Sequence, residues 1–194
     1  MGKKVVRLFT AIDLPEEQGR FLHRLARELS GVRVTPQAQL HLTLNFIGEV
    51  DMLLFHKLRQ GYLTVTAAPF SLSLQDVGTF PAKGTANILW AGVAPCQPLL
   101  QLQQLLKERI LDTEIAQEAR VFHPHITLAR IKNSSREQLS SFCKAHASLA
   151  LPPFEVTAFN LYSSSLFATG VTHTLEQRFR LEKNGAASLP TDSK

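Results

Sequence analysis

His41-Leu42-Thr43-Leu44-Asn45-Phe46-Ile47 is the stretch that decides the reading of this chain. Polar and apolar residues alternate through it, the period of a half-buried strand. Eighty-four residues further on, His125-Ile126-Thr127-Leu128 repeats the pattern. In a strand, residues i and i+2 share a face. His41 and Thr43 therefore look one way, Leu42 and Leu44 the other, and His125 and Thr127 do likewise against Ile126 and Leu128. Threonine occurs 14 times among 194 residues, 44% of which are apolar. A histidine followed by apolar-Thr-apolar is then expected by chance roughly 0.1 times for the seven histidines, and two copies far more rarely.

The rest of the chain arranges itself around these two strands as a repeated strand–helix–strand theme. Val5 to Ile12 reads as a buried strand closed by Asp13-Leu14-Pro15, with Pro15 and Glu16 opening a helix that stops at Ser30-Gly31. The first motif strand, Leu40 to Ile47, ends at Gly48-Glu49 and is followed by a helix over Met52 to Val65. Phe70 to Val77 and Ile88 to Val93 read as strands, joined by a Gly78 to Gly84 loop. Pro98 to Gln117 is the longest predicted helix, with Leu99, Leu102, Leu105, Leu106 and Ile110 as its apolar stripe. Val121 to Ile131 contains the second motif strand. Ser135 to Ala147 is helical, with Ser135 or Ser134 as its cap. Phe154 to Leu161 and Thr172 to Leu181 are the last strands, separated by a Ser163-Ser164-Ser165 loop. Neither GxGxxG nor a phosphate-cradling Walker loop occurs. The expected class is α+β: a bilobal, pseudo-two-fold arrangement of two antiparallel sheets, helices outside and a cleft between. Residues 1–182 are expected to form one bilobal domain and 183–194 a mobile tail.

Composition narrows the partners. The chain has 21.6 kDa, charged residues at 19%, a net charge of +5 and a pI near 9.5, a mild bias towards nucleic acid or phosphate esters, or else a plain solvated basic surface. No window is long and apolar enough to span a membrane. The Met1-Gly2-Lys3-Lys4 start and the apolar run after it superficially resemble a signal peptide, but Arg7 interrupts the run and no cleavage site follows. Two cysteines, Cys96 and Cys143, without metal spacing point to a reducing cytoplasm and no disulfide framework.

Two imidazoles facing one cleft can serve as base and acid across an in-line displacement at phosphorus, since histidine is accessible in both states near neutral pH. The threonine hydroxyls can donate to non-bridging phosphoryl oxygens. Two blander readings stand beside this one: half-exposed strands with satisfied histidines, and a metal site formed by His41, His123 and His125. The second lacks a carboxylate or thiolate at fitting spacing, so no metal and no cofactor are expected. His23, His56 and His146 read as helix-surface residues and Trp90 as core.

The two motifs resemble those of the 2H phosphoesterases, and more closely the RNA 2′,3′-cyclic phosphodiesterase branch, also called 2′-5′ RNA ligase-like proteins. The likeness runs through Arg7-Leu8-Phe9-Thr10-Ala11-Ile12-Asp13-Leu14-Pro15, His41 to Val50, Arg120 to Arg130 and Leu161-Tyr162-Ser163-Ser164. It implies metal-independent chemistry, with His41 as proton donor, His125 as proton acceptor, Thr43 and Thr127 on the phosphate, and Arg130 as a phosphate contact. Arg130 falls on the wrong face of an unbroken strand, so a bend is needed there. Phe9 is a candidate for stacking on a base, or else a core phenylalanine. Where the family often carries a basic residue and a tyrosine, Thr169 to His173 read Thr-Gly-Val-Thr-His, so the resemblance assigns no substrate contact to that loop.

The activity so implied is hydrolysis of RNA 2′,3′-cyclic phosphate ends to 2′-phosphomonoesters, reversible without ATP as 2′-5′ ligation. The expected partner is RNA with such ends, tRNA fragments among them, bound by a cytoplasmic monomer. Two alternatives remain: a cyclic phosphodiesterase for a small nucleotide such as ADP-ribose 1″,2″-cyclic phosphate, and a non-catalytic RNA-end binding module.

Overall fold

The computed structural model describes residues 5–81, 85–115, 121–167 and 170–182. The predicted tail over 183–194, the start of the chain before Val5, and Arg120 and Thr169 lie outside them.

Ten strands and four helices follow in order: β1 (Val5–Asp13), α1 (Glu16–Arg27), β2 (Val32–Val34), β3 (His41–Asp51), α2 (Met52–Leu63), β4 (Phe70–Leu72), β5 (Leu74–Phe80), β6 (Ile88–Val93), α3 (Gln97–Leu111), β7 (His125–Ile131), α4 (Arg136–Ala145), β8 (Phe154–Val156), β9 (Ala158–Phe167) and β10 (Gly170–Arg180). A 3-10 turn over Gln37–Gln39 leads into β3. The α+β class holds. The sheet order is β10-β9-β1-β3-β7-β6-β5, antiparallel throughout, with β2 also on β7 and with β4 and β8 forming a small second sheet. The two sheets expected from the repeat are thus two halves of one, joined where Leu42 on β3 pairs with Ile126 on β7.

The motif leucines anchor this seam. Leu42, Ile126 and Leu128 are fully buried and Leu44 nearly so, in one core with Leu99, Leu102, Leu106 and Ile110 of α3. Burying each such side chain contributes about 2 kcal/mol. Helices α2 and α3 pack on β3, and α1 packs on β2 and β7, so they cover the apolar face and leave the histidine face open. Ser135 caps α4 in a reciprocal box with Gln138.

Several boundaries differ from the sequence reading. Gly78 to Phe80 continue β5 instead of opening a loop, because Gly78 lets the Trp90 ring of β6 lie flat over the backbone. The Ser163-Ser164-Ser165 segment is the middle of β9, paired on both sides: Ser164 is opposite Arg7 and also opposite His173. Serines that would mark a loop by propensity are held extended by two neighbouring strands. Strand β2 is too short for any periodicity to signal. Helix α3 ends at Leu111, and the remainder predicted to Gln117 runs partly outside the described residues.

Candidate active site

Both motifs carry the same irregularity. On β3, Thr10 pairs with Asn45 but Ala11 pairs with Thr43, so Leu44 is an extra residue. On β7, Leu89 pairs with Ala129 but Trp90 with Thr127, so Leu128 is the extra one. A β-bulge of this kind lets two successive side chains share a face. Accordingly Leu44 with Asn45, and Leu128 with Ala129, are buried together. Alternation then resumes with its phase reversed. The bend that Arg130 requires is therefore present: Arg130 returns, exposed, to the face of His125 and Thr127. On β3 the equivalent position is Phe46.

The two histidines are held alike. His41 Nδ1 donates to the Gln39 carbonyl at 2.8 Å, and His125 Nδ1 donates to the His123 carbonyl at 2.7 Å. A carbonyl only accepts, so each Nδ1 carries hydrogen and each Nε2 is the nitrogen left for acid–base work. The surroundings differ. His41 stacks on Phe9 with ring centroids 5.0 Å apart and meets the His173 ring edge-on at 5.5 Å. His125 meets the edge of Phe80 at 5.0 Å. Burial pushes His41 down to about 4, reinforced by His173 and His125 and opposed by the Gln39 carbonyl and the Asp13 carboxylate. His41 is therefore neutral at pH 7 in the free protein. Asp13, its register partner on β1, accepts from Tyr162 Oη at 2.8 Å and Asn160 Nδ2 at 2.7 Å.

Thr43 and Thr127 lie half-buried on the open face, beside Ala11 and Trp90 respectively. Phe9 requires a correction. It is 4% exposed, with the rings of His41, Phe46, Tyr162 and His173 packed around it, so it presents almost no surface to a base and packs against His41 instead. Trp90 is likewise not core: it is half-buried on the histidine face, its ring tilted against that of Phe80 with centroids 5.2 Å apart. His123 is exposed and serves through its backbone carbonyl. Of the helix histidines, His56 is exposed, whereas His23 and His146 are half-buried against the Thr35 carbonyl and Glu28. No group of three or more His, Cys, Asp or Glu side chains among the described residues is arranged around a common metal position. No helix among them is long and apolar enough to cross a membrane.

Sequence reasoning missed His173, Tyr162, Phe80, Phe46 and Arg33. His173 and Tyr162 bring their rings beside His41 from β10 and β9, Phe80 brings its ring beside His125 from β5, Phe46 lies on β3 itself, and Arg33 pairs with Arg130. Their signal is sheet pairing, which a single sequence does not print.

Residues 14–165 match the family model of the 2′-5′ RNA ligase superfamily. The RNA 2′,3′-cyclic phosphodiesterase of Escherichia coli is 34% identical, covering 86% of this chain and 90% of its own. That of Archaeoglobus fulgidus is 29% identical over 85% of this chain and 94% of its own. Among solved structures, E. coli LigT complexed with 3′-AMP superposes with a TM-score of 0.75 at 30% identity, covering 93% of this chain and all of that one. A Thermus thermophilus protein reaches 0.77 at 28% identity, over 92% of this chain and 100% of its own. The chain belongs to the 2′-5′ RNA ligase superfamily, among its RNA 2′,3′-cyclic phosphodiesterases.

Proposed function

We propose that the protein hydrolyses RNA 2′,3′-cyclic phosphate ends to 2′-phosphomonoesters by a two-histidine mechanism that uses no metal or cofactor. The observation that carries this is the matched pair of Nδ1-to-carbonyl bonds, which presents two Nε2 atoms from two adjoining strands on one open face. His125 Nε2 takes a proton from the attacking water. The bond from phosphorus to O3′ breaks as the bond to water oxygen forms, and His41 Nε2 protonates O3′. Thr43 and Thr127 donate to the non-bridging oxygens, where charge builds. His41 is discharged in the free protein, and an anionic phosphodiester beside its ring favours the protonated state. The donor is thus charged together with substrate binding.

Run backwards, the same residues join a cyclic phosphate to a 5′-hydroxyl as a 2′-5′ linkage without ATP. Water at roughly 55 M makes hydrolysis the dominant direction unless a second RNA end is held close. The chain acts in this reading as one bilobal domain over residues 1–182, a cytoplasmic monomer whose +5 charge favours RNA, tRNA fragments included, over a small cyclic nucleotide. Strong salt dependence of KM is expected for RNA and little for a small nucleotide.

The test is incubation of EDTA-treated protein with an oligoribonucleotide ending in 2′,3′-cyclic phosphate, mapping the product phosphate. A 2′-phosphate is expected. Turnover that is abolished by chelation and restored by zinc would replace this reading with a metal site at His41, His123 and His125. Retained binding with no turnover in any condition would favour the RNA-end binding module.

A further inference from the structure

Three other strands bring rings to His41. Phe9 on β1 stacks on it, Tyr162 on β9 lies beside it with centroids 6.5 Å apart, and His173 on β10 meets it edge-on. Register brings the first two together, since Phe9 and Tyr162 are paired. His173 is different. It sits on the edge strand, and both β9 and β1 lie between it and β3. In a flat sheet three spacings of about 4.8 Å would separate those strands. The ring contact at 5.5 Å therefore requires β9 and β10 to curl over the histidine face. Two features of the sequence permit the curl. The register partner of His173 is Ser164, whose small side chain leaves room beneath the imidazole. A bulge at Glu176, where Leu175 pairs with Tyr162 but Gln177 with Leu161, bends β10.

The curl is tied down by Gln39. Its Nε2 donates to the Val171 carbonyl at 3.0 Å across 132 residues of sequence, and its own carbonyl accepts from His41 Nδ1 at 2.8 Å. One residue thus holds the imidazole with its main chain and β10 with its side chain. His173 follows two residues after Val171. It is half-buried, its ring also edge-on to Phe9 at 4.9 Å, and its Nδ1 is buried with no hydrogen-bond partner among the described residues. An unpaired buried nitrogen costs free energy. Burial also holds His173 below the ordinary histidine range, so it is neutral at pH 7 and carries no charge towards a substrate. What the ring does in that place is exclude water from His41. The titratable groups around His41 are Asp13 on β1, Tyr162 on β9, His173 on β10 and His125 on β7.

We infer, building on the function proposed above, that His173 is a positioning residue for the proton donor His41 and that Gln39 is the strut that holds it there. The curled end of β10 walls the His41 ring from water and fixes the direction of its Nε2. Loss of water is also the largest influence on the protonation of His41, ahead of every charge near it. Asp13 pulls the other way, and on an open sheet its carboxylate would favour a charged ring. The wall overrides it. A donor kept neutral in the free protein takes its proton only when an anion arrives beside it, so charging and substrate binding coincide.

The experiment pairs an NMR titration of the His41 ring in the free protein with kcat and KM on a dinucleotide 2′,3′-cyclic phosphate. His173→Ala moves the His41 midpoint from about 4 towards 6.5. It lowers kcat by roughly 10- to 100-fold, the span of a misdirected reacting group, with a much smaller change in KM. His173→Phe rebuilds the wall without a titratable group and restores both midpoint and kcat. Gln39→Met keeps the main-chain carbonyl on His41 and cuts only the strut, so it shifts midpoint and kcat in the direction of His173→Ala. The double variant Gln39→Met with His173→Ala is no worse than His173→Ala alone, because both remove one device. An unchanged midpoint in His173→Ala overturns the inference. So does failure of His173→Phe to restore it, which would assign the effect to charge, and additive losses in the double variant overturn the strut. The titration needs no substrate, so absence of turnover by the wild-type protein would overturn the proposed function and leave the titration result standing. Thermal melts of each variant check that the fold is intact.

Discussion

Leu42 and Ile126 face each other across the register pair that joins β3 to β7, and both side chains are fully buried. Counting one residue outward on each antiparallel strand places His41 across from Thr127 and Thr43 across from His125. Each imidazole thus has the hydroxyl of the other motif as its neighbour over the seam. Leu42–Ile126 is the one register pair between these two strands among the described residues, so the backbone ladder is interrupted on either side of it.

From that arrangement, Thr43→Ala and Thr127→Ala each raise the barrier for cyclic phosphate hydrolysis by roughly 2–4 kcal/mol, the loss typical of one oxyanion donor. The effect falls on kcat more than on KM. Thr→Ser is far milder at either site because the hydroxyl survives. Steady-state kinetics on the four variants decide it, and equal damage from Ser and Ala would assign the threonines to strand packing.

Gly78→Ala tests the support behind Thr127. A Cβ at Gly78 would meet three atoms of the Trp90 ring closer than real Cβ contacts come. Trp90 is the register partner of Thr127 and the only tryptophan in the chain. Relief requires the indole to lift from the sheet, at about 1–3 kcal/mol of stability. The expected signature is a lowered Tm with tryptophan emission moved towards that of a solvated indole. An unchanged melt and spectrum would mean that the ring rotates away freely.

How much of this was legible beforehand follows from where each residue's information lies. His41, Thr43, His125 and Thr127 were readable because a period of two within four residues defines a shared face. The buried leucines of α3 were readable for the same local reason, at a period of 3.6. The phase reversal after Leu44 and Leu128 was not, because a bulge is a property of the paired strand: the only local hint was the need for a bend before Arg130. Phe9, read as either a stacking platform or a core residue, and Trp90, read as core, were undecidable for one cause. An aromatic in an apolar strand lands in the core or on the open face according to register, and register is set by β9 and β6, far away in sequence. His173 was invisible for that reason too, since it reaches His41 only across β9 and β1.

The pH dependence of stability carries the mark of His41. Its ring is held at about 4 in the fold, against 6.5 in an unfolded chain. Between those values the unfolded state binds a proton that the folded state refuses, so stability is intact above about pH 6.5 and falls as the pH drops towards 4. The full contribution is at most about 3 kcal/mol, at 1.36 kcal/mol per unit. His41→Gln removes it. Urea unfolding of both proteins at several pH values should show the wild type losing stability more steeply on acidification. Parallel curves would mean that His41 titrates alike in both states. In the same spirit, NMR titration of the His41 ring should move upward when inorganic phosphate is bound, and failure to move would count against a donor charged by its substrate.

The direction of proton flow is where the two motifs' likeness is least informative, and the leaving group separates them. A general acid matters only as far as its leaving group needs a proton. The ribose 3′ oxygen needs one badly, and a nitrophenolate hardly at all. With His41 as donor, His41→Ala suppresses turnover of the RNA cyclic phosphate far more than that of a nitrophenyl phosphodiester. With His125 as acceptor, His125→Ala depresses both, because water must be activated in either reaction. The two rings share the same Nδ1-to-carbonyl clamp, so a difference between the variants reports role and not orientation. The opposite pattern would exchange the roles.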